Sequence, residues 1–226
     1  MEPYESIYAG QFVFMLGYLC AAHQLTPDGN SVSLLAQNHG DEVIGDLVGS
    51  WHGLSFIVEF KRRENTVRTE FGKPAKKLLW EHLHDKKYVE ALLDSRRGHF
   101  MAFGAIVGRS AGMRVLPYAD IEDSPRQSGP STPISDLLDR IVRGQVGLER
   151  PAFHRYVSAV KALHGAAAPD RPASGPWSTL LVNYDAATKR FAFVVVDLLL
   201  LRELKLEREV SGPDLPARQG RGGLSL

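Results

Sequence analysis

The chain has 226 residues, of which 44% are hydrophobic and 23% charged, enough for one domain with additions or two small ones around a sizeable core. A formal net charge of +1 points to no partner, so only local charge can. The single cysteine, Cys20, excludes an intrachain disulfide and is in keeping with a cytoplasmic location.

Residues 6–22 carry no charged side chain. No Lys or Arg precedes them, as a signal peptide would need. Gly10, Gln11 and Gly17 interrupt a run that is shorter than the about 20 apolar residues of a membrane span. A buried helix over residues 4–22 is expected, with Tyr8, Phe12, Met15, Leu16 and Leu19 at helical spacing, and no membrane partner. Pro27, Asp28, Gly29 and Asn30 mark a loop over 23–31, and 32–37 fits a short strand or a helical turn. Residues 42–48 and 54–61 have strand patterning. Residues 73–95 are expected as a helix, stopped by Gly98. The run 98–108 fits a buried strand and 112–121 another. Residues 122–133 have the composition of a linker or surface loop. Helices over 134–143 and 151–164, a loop over 165–176 and a hairpin over 178–184 and 190–198 follow. The apolar stretch 194–201 is a candidate for strand pairing across a homodimer. From about Ser211 the chain has the composition of a disordered tail. The order implies an α/β fold with a mixed central sheet flanked by helices.

The stretch GDLVGSWHGLSFIVEFKRR, residues 45–63, carries the chemistry. His52-Gly53 between Trp51 and Leu54 fits a two-residue turn, because glycine tolerates φ > 0. Carried along the ladder, that turn sets Asp46 across from Glu59 on one face, about 4.5–5.5 Å apart at Cβ. Strand alternation adds Lys61 to this face and turns Phe60 away. Two like charges directly opposite destabilise a hairpin, and burial adds to the cost. A divalent cation removes the conflict: Mg²⁺ takes one or two carboxylates, keeps waters and accepts phosphate oxygens.

Asp46 followed by Glu59-Phe60-Lys61 resembles the PD-(D/E)XK nuclease superfamily, with an acid on one core strand and acid-x-Lys on the next. Glu5, on the Tyr8/Phe12/Leu16 face of the first helix, matches a further acid that the family often has. The order helix, hairpin, helix, strand over roughly residues 1–120 is similar to the family's core. Gly45 stands where the family has proline, and residues beyond 120 have no assigned counterpart. The resemblance implies a restriction-endonuclease-like core over 1–121; composition and patterning divide the rest into a linker or surface loop over 122–133, a helical and hairpin extension over 134–210 packing on that core, and a tail over 211–226. It implies catalytic Asp46, Glu59 and Lys61, with Mg²⁺ or Mn²⁺ held by Asp46, Glu59 and the Phe60 carbonyl, Glu5 being a further candidate ligand. The implied activity is metal-dependent hydrolysis of phosphodiester bonds, endonucleolytic or exonucleolytic, in DNA rather than RNA.

Local charge adds a candidate nucleic-acid track: Arg62, Arg63, Arg68, Lys73, Lys76 and Lys77 follow the motif. Each feature also has a plainer use. Asp46 can close a strand-end turn, Glu59 and Lys61 can form a solvated pair, Glu5 can favour a helix N-terminus, and the basic run can be a solvated face. His82 and His84 point about 200° apart on a helix and do not face one ion. His39 is a candidate for the surroundings of the hairpin, and Cys20 fits a small buried hydrophobe. The competing function is an inactive nuclease-fold scaffold or assembly module that binds a partner protein or nucleic acid. A phosphodiesterase or toxin acting on a small or RNA substrate is a third.

Overall fold

The computed structural model describes residues 4–25, 30–35, 45–63, 72–107, 110–121, 131–167, 178–185, 190–197 and 202–204. The hairpin has the expected register. Strands β2 (Leu47–Trp51) and β3 (Leu54–Lys61) pair antiparallel, Trp51 with Leu54 and Leu47 with Val58. His52 (φ 50°) and Gly53 (φ 77°) both lie in the left-handed region, the turn pattern whose twist matches that of the strands. His52 is held there from two sides. Its N–H donates to Asn30 Oδ1 at 3.0 Å, and its ring Nε2 lies 2.9 Å from the Val142 carbonyl.

Strand β1 (Ser31–Leu34) pairs with β2, so the ambiguous 32–37 segment begins as a strand. Strand β4 (His99–Val107) runs parallel to β3, and β5 (Ser110–Pro117) antiparallel to β4. The short β6 (Thr132–Pro133) pairs antiparallel to β5. The result is a mixed six-stranded sheet in the order β1-β2-β3-β4-β5-β6. The parallel β3–β4 pair needs a crossover, which helices α2 (Pro74–His84) and α3 (Val89–Gly98) supply. A single helix was expected over 73–95. It breaks at Asp85, whose backbone leaves the helix at ψ 125° and whose carboxylate accepts the Lys87 N–H at 3.0 Å. That local bond competes with the helical ladder.

Strand alternation splits the interior into two layers. Val58 and Phe60 of β3 and Phe100 and Ala102 of β4 face helices α1 (Glu5–Ala22) and α4 (Ile134–Val142). Phe12 of α1 meets Phe60 edge-on, ring centres 5.7 Å apart. On the other face, Ile57, Met101 and Phe103 meet Leu79 and Leu83 of α2 and Phe153, Tyr156, Val157 and Val160 of α5 (Arg150–Ala167). Helix α1 buries the expected face, Phe12 and Leu16 fully and Tyr8, Met15 and Leu19 in part, while Tyr4, Ile7, Phe14 and Tyr18 are exposed. No helix among the described residues is long and apolar enough to cross a membrane.

Residues beyond 133 contribute to both helical layers. The α4–α5 link is also tied to the hairpin, Ser55 and Leu148 exchanging backbone hydrogen bonds of 2.8 Å each way. Strands β7 (Ser178–Asp185), β8 (Arg190–Asp197) and β9 (Arg202–Leu204) form a second, antiparallel sheet in that order, and β7 approaches β1. The expected hairpin is thus β7–β8, paired from Ser178–Asp197 to Asp185–Arg190. Over Val195–Asp197 both edges of β8 are taken, by β7 and β9, which leaves no edge there for pairing across a homodimer. Most of the 122–133 loop, residues 198–201 and the tail from Ser211 lie outside the described residues.

Candidate metal centre

The site forms where β3 outruns β2. Odd residues of β3 face α2, so Glu59 and Lys61 project into the α2 layer, opposite Phe60. Both are buried, at 1% and 6% exposure. The backbone of Asp46, just before β2, donates to the Val58 carbonyl at 3.1 Å and accepts from Leu35 at 2.8 Å. Asp46 Oδ2 accepts the Phe60 N–H at 2.5 Å. The expected meeting of Asp46, Glu59 and Lys61 at one end of the hairpin is therefore present.

Gly45 explains the departure from the family pattern. Its φ is +154°, far from the −65° or so that proline imposes. A Cβ there would stand 2.9 Å from Ile57 Cγ2 and 3.4 Å from Glu59 Oε2. The close passage of this backbone over β3 calls for glycine.

Glu59 is held by two ammonium groups. Lys61 Nζ lies 3.2 Å from Oε1 and Lys76 Nζ 3.0 Å from Oε2. Burial alone would raise the Glu59 pKa, but Lys76, Lys61 and Lys73 overcome it and bring it down to about 2. Asp46 goes the other way. Burial first, then the charge of Glu59, push it up to about 7, against the Phe60 N–H and the two lysines. The two carboxyl groups feel each other, and only one is fully matched by cations.

The donor set fits a hard divalent cation. Among the described residues Asp46 Oδ1 takes no hydrogen bond. Each Glu59 oxygen keeps a second lone pair beside its ammonium partner. In an extended strand a residue turns its N–H and C=O to the same side, so the Phe60 carbonyl also faces the Asp46 side. Two carboxylates and a carbonyl are an adequate protein share for Mg²⁺, which keeps waters. Among the described residues no group of three His, Cys, Asp or Glu side chains gathers there.

Glu5 does not join them. Helix α1 begins near the same end of β3, with the Tyr4 ring 4.6 Å from the Arg62 guanidinium and the Tyr8 hydroxyl beside Gly104 and the Arg62 carbonyl. It covers the Phe60 face, however, whereas Glu59 and Lys61 point to the opposite face.

The basic track divides. Arg62, Arg63, Lys73 and Lys77 are exposed, and Lys77 pairs loosely with Glu81 at 3.9 Å. Arg68 and His39 lie outside the described residues. Lys76 is not on the surface at all. At 1% exposure it belongs to the centre, its Nζ 5.5 Å from the centre of the Tyr118 ring. The signal was its spacing: Lys76, Leu79 and Leu83 form the buried stripe of α2. His82 stacks on Tyr88 and His84 on Trp80, and Cys20 is half-buried.

A buried polar chain beneath the centre carried no sequence signal. Tyr118 stacks on His99 with centres 4.1 Å apart, His99 Nδ1 lies 2.8 Å from the Tyr156 hydroxyl, and that hydroxyl donates to Ser95 Oγ at 3.3 Å. It fixes the aromatic wall against which Lys76 rests. Comparisons of the chain with protein-family models, with curated proteins and with solved structures found no match.

Proposed function

We propose that the chain is a metal-dependent nuclease of the PD-(D/E)XK kind, hydrolysing phosphodiester bonds in DNA rather than RNA. The observation that carries this reading is the half-buried Asp46 carboxyl set against the buried Glu59, with Lys61 on the same face, at the open end of a hairpin. A structural ion pair does not need the second carboxylate, whose burial is costly. When bound, Mg²⁺ or Mn²⁺ supplies Lewis-acid polarisation of the phosphate and a water of lowered pKa.

The chain's own residues do the rest. Asp46, Glu59 and the Phe60 carbonyl hold the ion. The Lys61 ammonium, 3.2 Å from Glu59 Oε1, supplies positive charge where the attacked phosphate gains negative charge. The exposed Arg62, Arg63 and Lys73 flank this end of the hairpin and offer cations to the phosphates on either side.

A second reading rests on Glu59 having both oxygens held by lysines: the centre is a retired one, and the fold serves as a scaffold for a protein or nucleic acid. The deciding experiment is cleavage of plasmid DNA and of single-stranded RNA with Mg²⁺ or Mn²⁺, wild type against Lys61→Ala, with EDTA as control. The nuclease reading expects DNA cleavage that EDTA abolishes and Lys61→Ala lowers by about 10²–10³-fold. A folded wild-type protein that cleaves neither substrate selects the scaffold.

A further inference from the structure

The unusual member of the centre is Lys76. Lysine is almost never fully buried unless it is paired. Here it takes the first position of α2's apolar stripe, with Leu79 and Leu83 behind it. Its ammonium is set between Glu59 Oε2, 3.0 Å away, and the Tyr118 ring. Tyr118 is pinned by its stack on His99, so this wall of the seat is rigid.

Lys61 already serves the other oxygen of Glu59. Lys76 therefore stands where a cation bound to Glu59 from the α2 side would sit. A divalent ion shared by Asp46 and Glu59 would lie only a few ångströms from that ammonium, in a poorly solvated place where like charges repel strongly.

We propose that Lys76 is the exchangeable counter-ion of the centre: its ammonium and a divalent metal compete for Glu59, and metal binding releases Lys76 from that carboxylate. The proposal rests on the metal-centre reading above and adds a regulation to it. In the metal-free protein Lys76 holds the Glu59 side chain in place. Metal loading then depends on the first turn of α2 letting one side chain go. Lys76 acts through Glu59 and is a positioning residue, not a catalytic one.

The test is Mn²⁺ binding by electron paramagnetic resonance to wild type, Lys76→Met and Glu59→Gln, each checked for folding by circular dichroism. Competition predicts that Lys76→Met binds Mn²⁺ about tenfold or more tightly than wild type, the equivalent of about 1.4 kcal/mol. Glu59→Gln loses the site. Equal or weaker binding by a folded Lys76→Met overturns the competition while leaving the metal centre standing. Failure of both wild type and Lys76→Met to bind, or binding that survives Glu59→Gln, overturns the metal-centre reading and this proposal with it. A second measurement uses wild type alone, should Lys76→Met not fold. Acylation of Lys76 by an amine-reactive ester, followed by mass spectrometry, rises several-fold when Mg²⁺ saturates the protein. Labelling that does not change with Mg²⁺ overturns the release.

Discussion

On one face of the six-stranded sheet, Phe12 and Leu16 of α1 meet Phe56, Val58 and Phe60, with helix α4 alongside. On the other, the same strands present Glu59, Lys61 and His99 to α2, α3 and α5. The buried charged side chains among the described residues, Glu59, Lys61, Lys76 and Asp94, all lie on this second side. A period of two thus lets one sheet divide its duties. The even residues of β3 are anchored by packing alone. The odd residues carry charges that packing must tolerate, and that is where chemistry can be done.

The comparison is broken most strongly by large changes on each face. Phe12→Ala opens a cavity against Phe60 and costs about 3–5 kcal/mol in urea denaturation, without lowering the metal-dependent activity of the folded fraction. Glu59→Gln costs a similar 3–5 kcal/mol by leaving Lys61 and Lys76 without their carboxylate, and it abolishes cleavage as well. If Phe12→Ala also removed activity from the folded protein, the division of duties would fail.

The next effect depends on pH. Asp46 holds its proton more tightly folded than unfolded. Its contribution to stability is therefore full below the ordinary 3.8 and is lost as pH rises through about 7. Asp46→Asn keeps an acceptor for the Phe60 N–H but does not titrate. Its stability relative to wild type should grow between pH 4 and pH 7, by at most about 4 kcal/mol at about 1.36 kcal/mol per pKa unit. The reading is the difference between the two urea midpoints along a pH series. Saturating Mg²⁺ should shrink it, because the ion stabilises only the ionised wild type.

The smallest effect sharpens the contrast by making the second face resemble the first. The triple change Glu59→Leu, Lys61→Met, Lys76→Met removes charge and counter-charge together. Buried ion pairs replaced by apolar groups of similar size are often neutral or stabilising. The triple variant is expected within about 1 kcal/mol of wild type or above it, and inactive. A loss as large as that of Glu59→Gln alone would mean that the charges are needed for the fold.

How much of this was legible depended on whether the signal was local. The hairpin register was, because His52-Gly53 names its turn and fixes every pair down to Leu47–Val58. Strand β4 was, because an apolar run between glycines has few other uses. The break at Asp85 was not, since helical periodicity continues through it and α2 ends where Asp85 turns extended and takes the Lys87 N–H on its side chain. The metal-centre candidates Asp46, Glu59 and Lys61 were legible as a pattern. Lys76 was hidden because a lysine within a basic run has the look of a solvated one, and its burial follows from how α2 docks. The chain His99, Tyr156, Ser95 was invisible, as Tyr156 comes 57 residues after His99 and 61 after Ser95.

The turn at His52-Gly53 also sets an order in time. A hairpin closes in about 1–10 μs, and its contacts are near in sequence. The parallel pairing of β3 with β4 must wait for the whole crossover through α2 and α3. Asp46 and Glu59 are therefore brought face to face early, with Lys61 the only lysine or arginine within the two paired strands. Lys76 arrives later, when α2 docks. The like-charged pair taxes the barrier before its second counter-ion is in place, so the rate of folding, and not only its end point, slows as the carboxyl groups lose their protons.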